Sequence, residues 1–179
     1  MKSWFGRKAA PAARPLLHRG FSGAAGVGDW PRNYESQVRE AYLGNPVAQR
    51  AVRLVAESVA WAPVYAADGE SGAKASERAL ALVSPALLDV AAAQLLLHGN
   101  AFVQILLDAD AAPAELFPLR PERVTVESGA GGWPEAYVYR AGEVKARIPA
   151  RDPLGRPGLV HIKGVHPLDD HYGLGCLGS

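Results

Sequence analysis

Three groups of residues near the C-terminal end of the sequence have types and spacing that could do chemistry. The first is the glycine series Gly173, Gly175 and Gly178, which has the spelling G-x-G-x-x-G. In dinucleotide-binding proteins this turn joins a buried strand to a helix, whose backbone N–H groups hold the pyrophosphate. Here Asp169-Asp170-His171 precedes the glycines, and the sequence reaches Ser179 without a helix. The spelling therefore predicts no nucleotide site and no cofactor.

The second group combines three histidines with two aspartates, residue types that bind metal ions: His161, His166, Asp169, Asp170 and His171. A metal-dependent hydrolase built on these residues would need a bound metal ion. However, the alternation over residues 159–163 predicts a strand with Val160 and Ile162 facing inward. We therefore expect the His161 ring to point outward beside Lys163, as a surface histidine, and we assign no metal ligand.

The third candidate is Cys176, the single cysteine of the chain. One cysteine cannot form an intramolecular disulfide, which is consistent with a reducing compartment. Beyond His171, no cation or helix start is near it in the sequence to lower the pKa of the thiol, so we expect an unreactive side chain. Neither a G-x-S-x-G elbow nor a phosphate-binding G-x-x-x-x-G-K-[ST] loop occurs. The sequence thus predicts no catalytic residue and no enzyme.

Composition limits the remaining classes of function. The chain has 179 residues, of which 49% are hydrophobic and 21% charged, as expected for one globular domain with a tail. Nineteen basic against 18 acidic side chains leave a net charge of +1, so no strong overall field marks a general nucleic-acid or membrane binder. No apolar run approaches the roughly 18 residues of a membrane span, and we predict neither a signal peptide nor a transmembrane helix.

The composition changes near Trp30. Residues 1–32 are basic and rich in glycine, alanine and proline, which predicts a mostly disordered N-terminal arm. Residues 33–179 form the predicted folded domain. Within the arm, aromatic and basic side chains form a short cluster: Lys2, Trp4, Phe5, Arg7 and Lys8. This cluster is either part of a frayed terminus or a partner-binding segment that becomes ordered on binding, and we single it out as the partner-binding candidate.

The helical part of the domain begins at Asn45, a predicted N-cap, with Pro46 at the first helical position. This helix should stop near Trp61, before Pro63, and Arg53 and Glu57 are spaced to pair on its polar side. Its predicted buried face consists of Val47, Ala51, Leu54, Val55, Val59 and Ala62.

A short strand is predicted at residues 64–66, and further helices at residues 76–82 and from Pro85 to Gly99, with Ser84 as the second N-cap. The last helix is apolar on nearly all sides, so we expect it to be buried in its own core or under a neighbouring subunit.

After Gly99 the periodicity changes from that of a helix to that of strands. The predicted strands cover residues 101–107, 114–119, 123–127, 137–140, 143–148 and 159–163. Short connections between them predict an antiparallel meander of five or six strands. With two or three helices before it, the domain belongs to the α+β class.

The order of several short elements resembles a known family. These elements are Asn45-Pro46-Val47, Gly99-Asn100-Ala101-Phe102, Leu116-Phe117-Pro118-Leu119-Arg120-Pro121, Val160-His161-Ile162-Lys163 and Asp169-Asp170-His171-Tyr172-Gly173. Over residues 40–177, their succession resembles the N-terminal half of the portal, or head–tail connector, protein of double-stranded-DNA tailed phages and gene-transfer particles. All of these residues meet structural demands, such as the helix end at Gly99.

The resemblance implies a ring of identical subunits, usually twelve, at one vertex of a capsid. It implies a virion or phage-like particle, assembled in the bacterial cytoplasm, with other copies of the chain, the major capsid protein, the terminase and a head–tail adaptor as partners. Double-stranded DNA would pass through the ring without sequence specificity, and no membrane is involved. Portal proteins are longer than this chain, so the stem, clip and crown are expected after Ser179.

Two roles for the N-terminal arm follow. Under the portal interpretation, the cluster from Lys2 to Lys8 contacts capsid, scaffold or a neighbouring subunit. Under the alternative, the chain is a nucleic-acid-binding module whose arm binds phosphates. The salt dependence of binding distinguishes these two roles. Phosphate binding weakens steeply between about 50 and 200 mM salt, whereas assembly driven by packing does not.

Overall fold

The computed structural model describes residues 38–66 and 73–176. Within these ranges a π-helical turn at Val38–Leu43 is followed by three α-helices. The helices are α1 (Pro46–Ala60), α2 (Ala73–Leu82) and α3 (Pro85–His98).

The predicted boundaries of α1 and α3 are confirmed, whereas α2 begins at Ala73 rather than at residue 76. The Asn45 side-chain Oδ1 accepts hydrogen bonds from the backbone N–H groups of Val47 at 3.0 Å and Ala48 at 3.2 Å. Ser84 Oγ accepts one from Leu87 N at 3.1 Å. These bonds satisfy N–H groups that have no partner within the helix, while a proline occupies each first helical position.

The six strands within the described ranges form two antiparallel three-stranded sheets. The strands are β1 (Asn100–Leu107), β2 (Pro113–Leu119), β3 (Val124–Ser128), β4 (Pro134–Ala141), β5 (Val144–Pro149) and β6 (Leu159–Lys163). The first sheet has the order β2-β1-β6 and the second β3-β4-β5. The α+β class is confirmed, but the strands form no single meander, because β6 returns to pair with β1.

The core lies between the two sheets. Phe102, Leu119 and Leu159 of the first sheet pack against second-sheet residues that share their cluster, namely Val124, Val126, Tyr137 and Ile148. Ala101 and Val103 are also buried, and since strand side chains alternate, they face the opposite side, where α3 contacts β1 and β2. The layers therefore run from α1, through α3, to the first sheet and then the second.

The predicted strand at residues 64–66 is wrong. This segment has no regular secondary structure and pairs with no strand of the described chain. Tyr65 is 82% exposed, so the β-branched and aromatic residues that favour a strand here have no neighbouring strand to pack on.

Helix α3 is central to the helical layer. Leu87, Ala91 and Ala92 are buried, whereas Val90 remains 38% exposed. Among the described residues, no single helix has the length and apolar composition of a membrane span. Only α2 and α3 counted together, across a bend of 70°, satisfy those two criteria.

Candidate functional site

Three of the elements that carried the family resemblance meet at one place, the C-terminal junction, formed by Gly99, Asn100, His161, Gly164 and residues 169–176. Helix α3 ends at Gly99 in the left-handed conformation, with φ 72°. Gly164 N donates a hydrogen bond of 2.8 Å to the Gly99 carbonyl. A Cβ atom on Gly99 would lie 2.3 Å from the carbonyl carbon of Leu174. Both the backbone angle and the close approach therefore require glycine.

Asn100 is the buried centre of this junction, with 3% of its surface exposed. Its Nδ2 donates to the carbonyls of His98 at 2.9 Å and Gly173 at 3.1 Å. Its Oδ1 accepts from Gly173 N at 2.7 Å and lies 3.0 Å from His161 Nε2. The amide thus uses both donors and both acceptor positions, which removes the cost of burying it.

His161 points inward, so the predicted outward orientation is wrong. Its ring stacks on Phe102, with 4.1 Å between centroids, and meets Tyr137 edge-on at 5.9 Å. The flanking Val160 and Ile162, predicted to be buried, are 41% and 43% exposed. The ring occupies the core side because Asn100 Oδ1 offers its Nε2 a hydrogen bond there. That oxygen only accepts, so His161 carries its proton on Nε2.

Burial holds two histidines of this region in the neutral form. It lowers the pKa of His161 to about 4, and the positive charges of Lys163 and His171 act in the same direction. Burial also lowers the pKa of His98 to about 4, against the opposing effect of a backbone hydrogen bond. Neither ring carries a charge near pH 7.

Residues 169–172 attach the chain to the second sheet. Asp169 Oδ1 accepts from the backbone N–H groups of His171 at 2.7 Å and Tyr172 at 3.1 Å, which fixes a tight turn. The Tyr172 hydroxyl accepts from Val126 N at 2.9 Å. His171 Nε2 lies 3.1 Å from Ser128 Oγ. A Ser–His pair at this distance also occurs in nucleophilic enzymes, but here it joins β3 to the turn.

The glycine series has a packing role. A Cβ atom on Gly173 would lie 2.0 Å from the Gly99 carbonyl oxygen, and one on Gly175 would lie 2.6 Å from that of Leu97. Cys176 N donates to the Leu96 carbonyl at 2.8 Å. The glycines therefore let this segment pack directly on the end of α3. The sequence pattern G-x-G-x-x-G alone does not indicate this packing role.

The described ranges hold no group of three histidine, cysteine, aspartate or glutamate side chains that could bind a metal ion. Cys176 is exposed, with a free thiol.

The surface of α1 differs from the sequence expectation. The buried residues are Val52, Ala56 and Ala60, on a helix that packs against α3. The face predicted to be buried is open, with Val47 76%, Leu54 52%, Val55 46% and Val59 42% exposed. Helix periodicity places these side chains beside the buried row, so the apolar surface of α1 is wider than the area that α3 covers.

The N-terminal half of this open face forms a shallow groove, here called the α1 groove, lined by Pro46, Val47, Arg50, Ala51 and Leu54. The predicted pair of Arg53 and Glu57 is confirmed at 3.4 Å, and Arg50 also lies 3.4 Å from the same carboxylate. Two guanidinium groups therefore share one carboxylate, which leaves the edge of the groove with one net positive charge.

A second exposed feature is the Trp133 hairpin, the loop of residues 129–133 that joins β3 to β4. Trp133 is 81% exposed. Backbone hydrogen bonds from Gly129 N to Trp133 O at 2.9 Å and from Gly132 N to Gly129 O at 3.0 Å close the loop. Beneath it, Arg147 bridges Glu127 at 2.8 Å and Glu135 at 3.5 Å. The hydrogen bond with Glu127, together with both negative charges, raises the pKa of Arg147.

The predicted partner-binding cluster Lys2, Trp4, Phe5, Arg7 and Lys8 lies outside the described residues, as does the rest of the arm.

Comparison with known proteins agrees with the order of elements. A family model described as phage portal protein matches residues 46–179. The chain belongs to the phage portal protein family. The range that matches the portal family begins at the first residue of α1 and includes both sheets and the C-terminal junction.

Solved structures of gene transfer agent (GTA) particles contain similar chains. One, from the neck of an empty GTA particle computed with C6 symmetry, has a TM-score of 0.72 and 34% identity, covering 87% of this chain and 44% of the other. Another, from the virion of a native GTA particle, has a TM-score of 0.66 and 32% identity, covering 86% and 42%. A third, from the neck of a native GTA particle computed with C12 symmetry, has a TM-score of 0.64 and 32% identity, covering 81% and 39%.

An uncharacterised protein of Rickettsia felis is 29% identical over 149 residues, which is 77% of this chain and 37% of that protein. This portal-family chain thus spans less than half the length of the relatives that it matches.

Proposed function

We propose that this chain is the wing-side portion of a structural portal protein, which forms a ring at one vertex of a capsid. In this role it is a conduit for double-stranded DNA during packaging and exit, and the platform to which the tail side joins. The observation that carries the proposal is the portal family match over residues 46–179. The likeness to chains from GTA necks, at 32–34% identity, supports it.

The principal partner is a second copy of the same chain. The similar chains come from neck structures computed with C6 and C12 symmetry, which supports a ring, with twelve copies as the proposed number. The major capsid protein, the terminase and a head–tail adaptor are the other proposed partners. The particle itself is the proposed location, after assembly in the bacterial cytoplasm.

A conduit has to let DNA pass. The net charge of +1 over 179 residues gives the chain no strong overall attraction for phosphates. The family match favours this structural role over a nucleic-acid-binding module. We propose no catalytic step, since the contacts that the residues of the C-terminal junction make all serve packing and hydrogen bonding within the subunit.

The location is tested by tagging the chain in producing cells and imaging purified particles. The proposal requires the tag at a single vertex, and particles from a strain lacking the gene should contain no packaged DNA. A tag spread over the whole shell, or DNA-filled particles without the chain, would overturn the proposal.

The arm is tested by deleting residues 1–30. We propose that Lys2, Trp4, Phe5, Arg7 and Lys8 contact capsid, scaffold or a neighbouring subunit, so the deletion should reduce incorporation into procapsids. Replacing only Trp4 and Phe5 by alanine separates the aromatic contribution from the charges. Unchanged incorporation of the deleted chain would refute the role of the arm.

A further inference from the structure

We propose that the Trp133 hairpin of one copy binds the α1 groove of the next copy, as a head-to-tail contact of the ring. This inference rests on the ring of the proposed function and identifies the two surfaces that meet in it. It begins from two features that the fold of a single subunit leaves unused: an open apolar helix face and an exposed tryptophan on a braced hairpin.

The chemistry of the groove fits an aromatic side chain. Its lining is apolar apart from Arg50, whose side chain is 67% exposed. An indole ring in this groove would cover Val47 and Leu54 and lie against the guanidinium group, which is attracted to the face of an aromatic ring. Tryptophan and arginine are also the residue types that most often dominate interface energies.

The charges beside the two features are complementary. At the edge of the groove, Arg50 and Arg53 share Glu57, giving a net charge of +1. Beneath the hairpin, Glu127 and Glu135 share Arg147, giving a net charge of −1. Docking of the hairpin would bring a net negative triad beside a net positive one, which fixes the orientation of the contact.

The layer order makes this contact intermolecular. Helix α1 packs on α3, α3 packs on the first sheet, and the second sheet, which carries the hairpin, packs on the other face of the first sheet. Groove and hairpin therefore lie on opposite sides of the subunit. Two different, complementary surfaces on opposite sides are what a heterologous, ring-closing interface requires.

The test is sedimentation velocity of the whole chain over a concentration series. We expect concentration-dependent association of the wild type, and a weakening of roughly 30-fold or more for Trp133→Ala and for Leu54→Asp. Trp133→Phe should retain part of the affinity. The matched control is Leu168→Asp, at a residue that is 92% exposed, follows β6 and belongs to neither the groove nor the hairpin; this variant should associate as the wild type does. Far-UV circular dichroism shows whether each variant is folded.

Mixing the two weakened variants is the decisive step. Trp133→Ala keeps an intact groove and Leu54→Asp keeps an intact tryptophan, so one copy of each can form one native contact. At concentrations where each variant alone is monomeric, a mixture should therefore form dimers and nothing larger.

Three results would overturn the inference: a wild-type chain that stays monomeric at every concentration, Trp133→Ala associating like the wild type, or a mixture that forms no dimers. None of them affects the vertex-labelling result that tests the portal role. Conversely, absence of the chain from the vertex would refute the portal role. A head-to-tail contact measured in solution would then stand, but the ring of a portal would not be its explanation.

Discussion

The C-terminal junction and the open face of α1 differ in which kind of side chain they bury and which kind they expose. At the junction, a buried polar side chain, Asn100, has every hydrogen-bonding position used within the subunit. On α1, apolar side chains such as Val47 and Leu54 are left in contact with solvent. The difference teaches that the junction serves the stability of one subunit, whereas α1 carries a surface that the single subunit does not use.

The largest expected effect of a single substitution comes from closing the space at Gly173. Gly173→Ala puts a Cβ atom 2.0 Å from the Gly99 carbonyl oxygen, so the junction must open. We expect a loss on the order of 3 kcal/mol or more in the free energy of unfolding, measured by chemical denaturation. Gly131→Ala is the control, because its Cβ would meet only Trp133 Cδ1 at 3.7 Å. Equal stability of the two variants would contradict this account of the junction.

Removing the central amide is the next test. Asn100→Ala leaves Gly173 N and His161 Nε2 without their buried partner, which should cost about 3 kcal/mol of unfolding free energy. The same substitution at Asn45 removes an exposed helix cap and should cost about 1 kcal/mol. Chemical denaturation measures both losses. Similar losses of unfolding free energy at the two positions would show that the hydrogen bonds of Asn100 stabilise the chain no more than an exposed helix cap does.

Acid should destabilise the folded chain through the two buried histidines, His98 and His161. The pKa values of His98 and His161 are about 4 in the folded chain, below the value of about 6.5 for an unfolded histidine. As the pH falls from about 6.5 to about 4, the unfolded chain takes up protons that the folded chain does not. The free energy of unfolding should fall by up to about 1.4 kcal/mol per pH unit for each histidine.

The check is the pH dependence of denaturation for the wild type and His161→Gln. The variant should lose part of the slope over this interval, while Asn45→Ala should keep the slope of the wild type. An unchanged slope in His161→Gln would show that this ring does not titrate differently in the two states.

The last comparison is between the two sides of α1. Val52 is 5% exposed against α3, so Val52→Ala should cost about 2 kcal/mol of unfolding free energy. Leu54 is 52% exposed, and Leu54→Ala should change the unfolding free energy by less than about 0.5 kcal/mol. Thermal denaturation at low protein concentration measures both. A large loss for Leu54→Ala would mean that the open face already supports the subunit.

Local signals in the sequence predicted the ends of elements well. Asn45-Pro46 and Ser84-Pro85 start helices, and Gly99 ends one, because each acts through its own backbone or side chain. Such signals require no knowledge of the rest of the fold, and the family resemblance was readable because these signals occur in a fixed order.

What depended on distant partners was predicted less well. The sequence indicated that α1 has an apolar face, but not which part of that face α3 covers. The buried part includes Ala56 and Ala60, small residues that allow close packing. The alternation of β6 indicated Val160 and Ile162 as inward, yet Asn100 and Phe102 draw the ring of His161 into the core. The register that pairs β6 with β1 cannot be read from either strand alone.

The bond between Asn100 and Gly173 joins residues that are 73 positions apart in the chain. Contacts of such sequence separation form late, because a long loop has to close before they contribute. During synthesis from the N-terminus, α1 and α3 emerge before β6, which completes the first sheet. Under the proposed head-to-tail contact, the open face of α1 is thus exposed on the ribosome before the subunit is complete, so premature association of nascent chains would be a hazard of this topology.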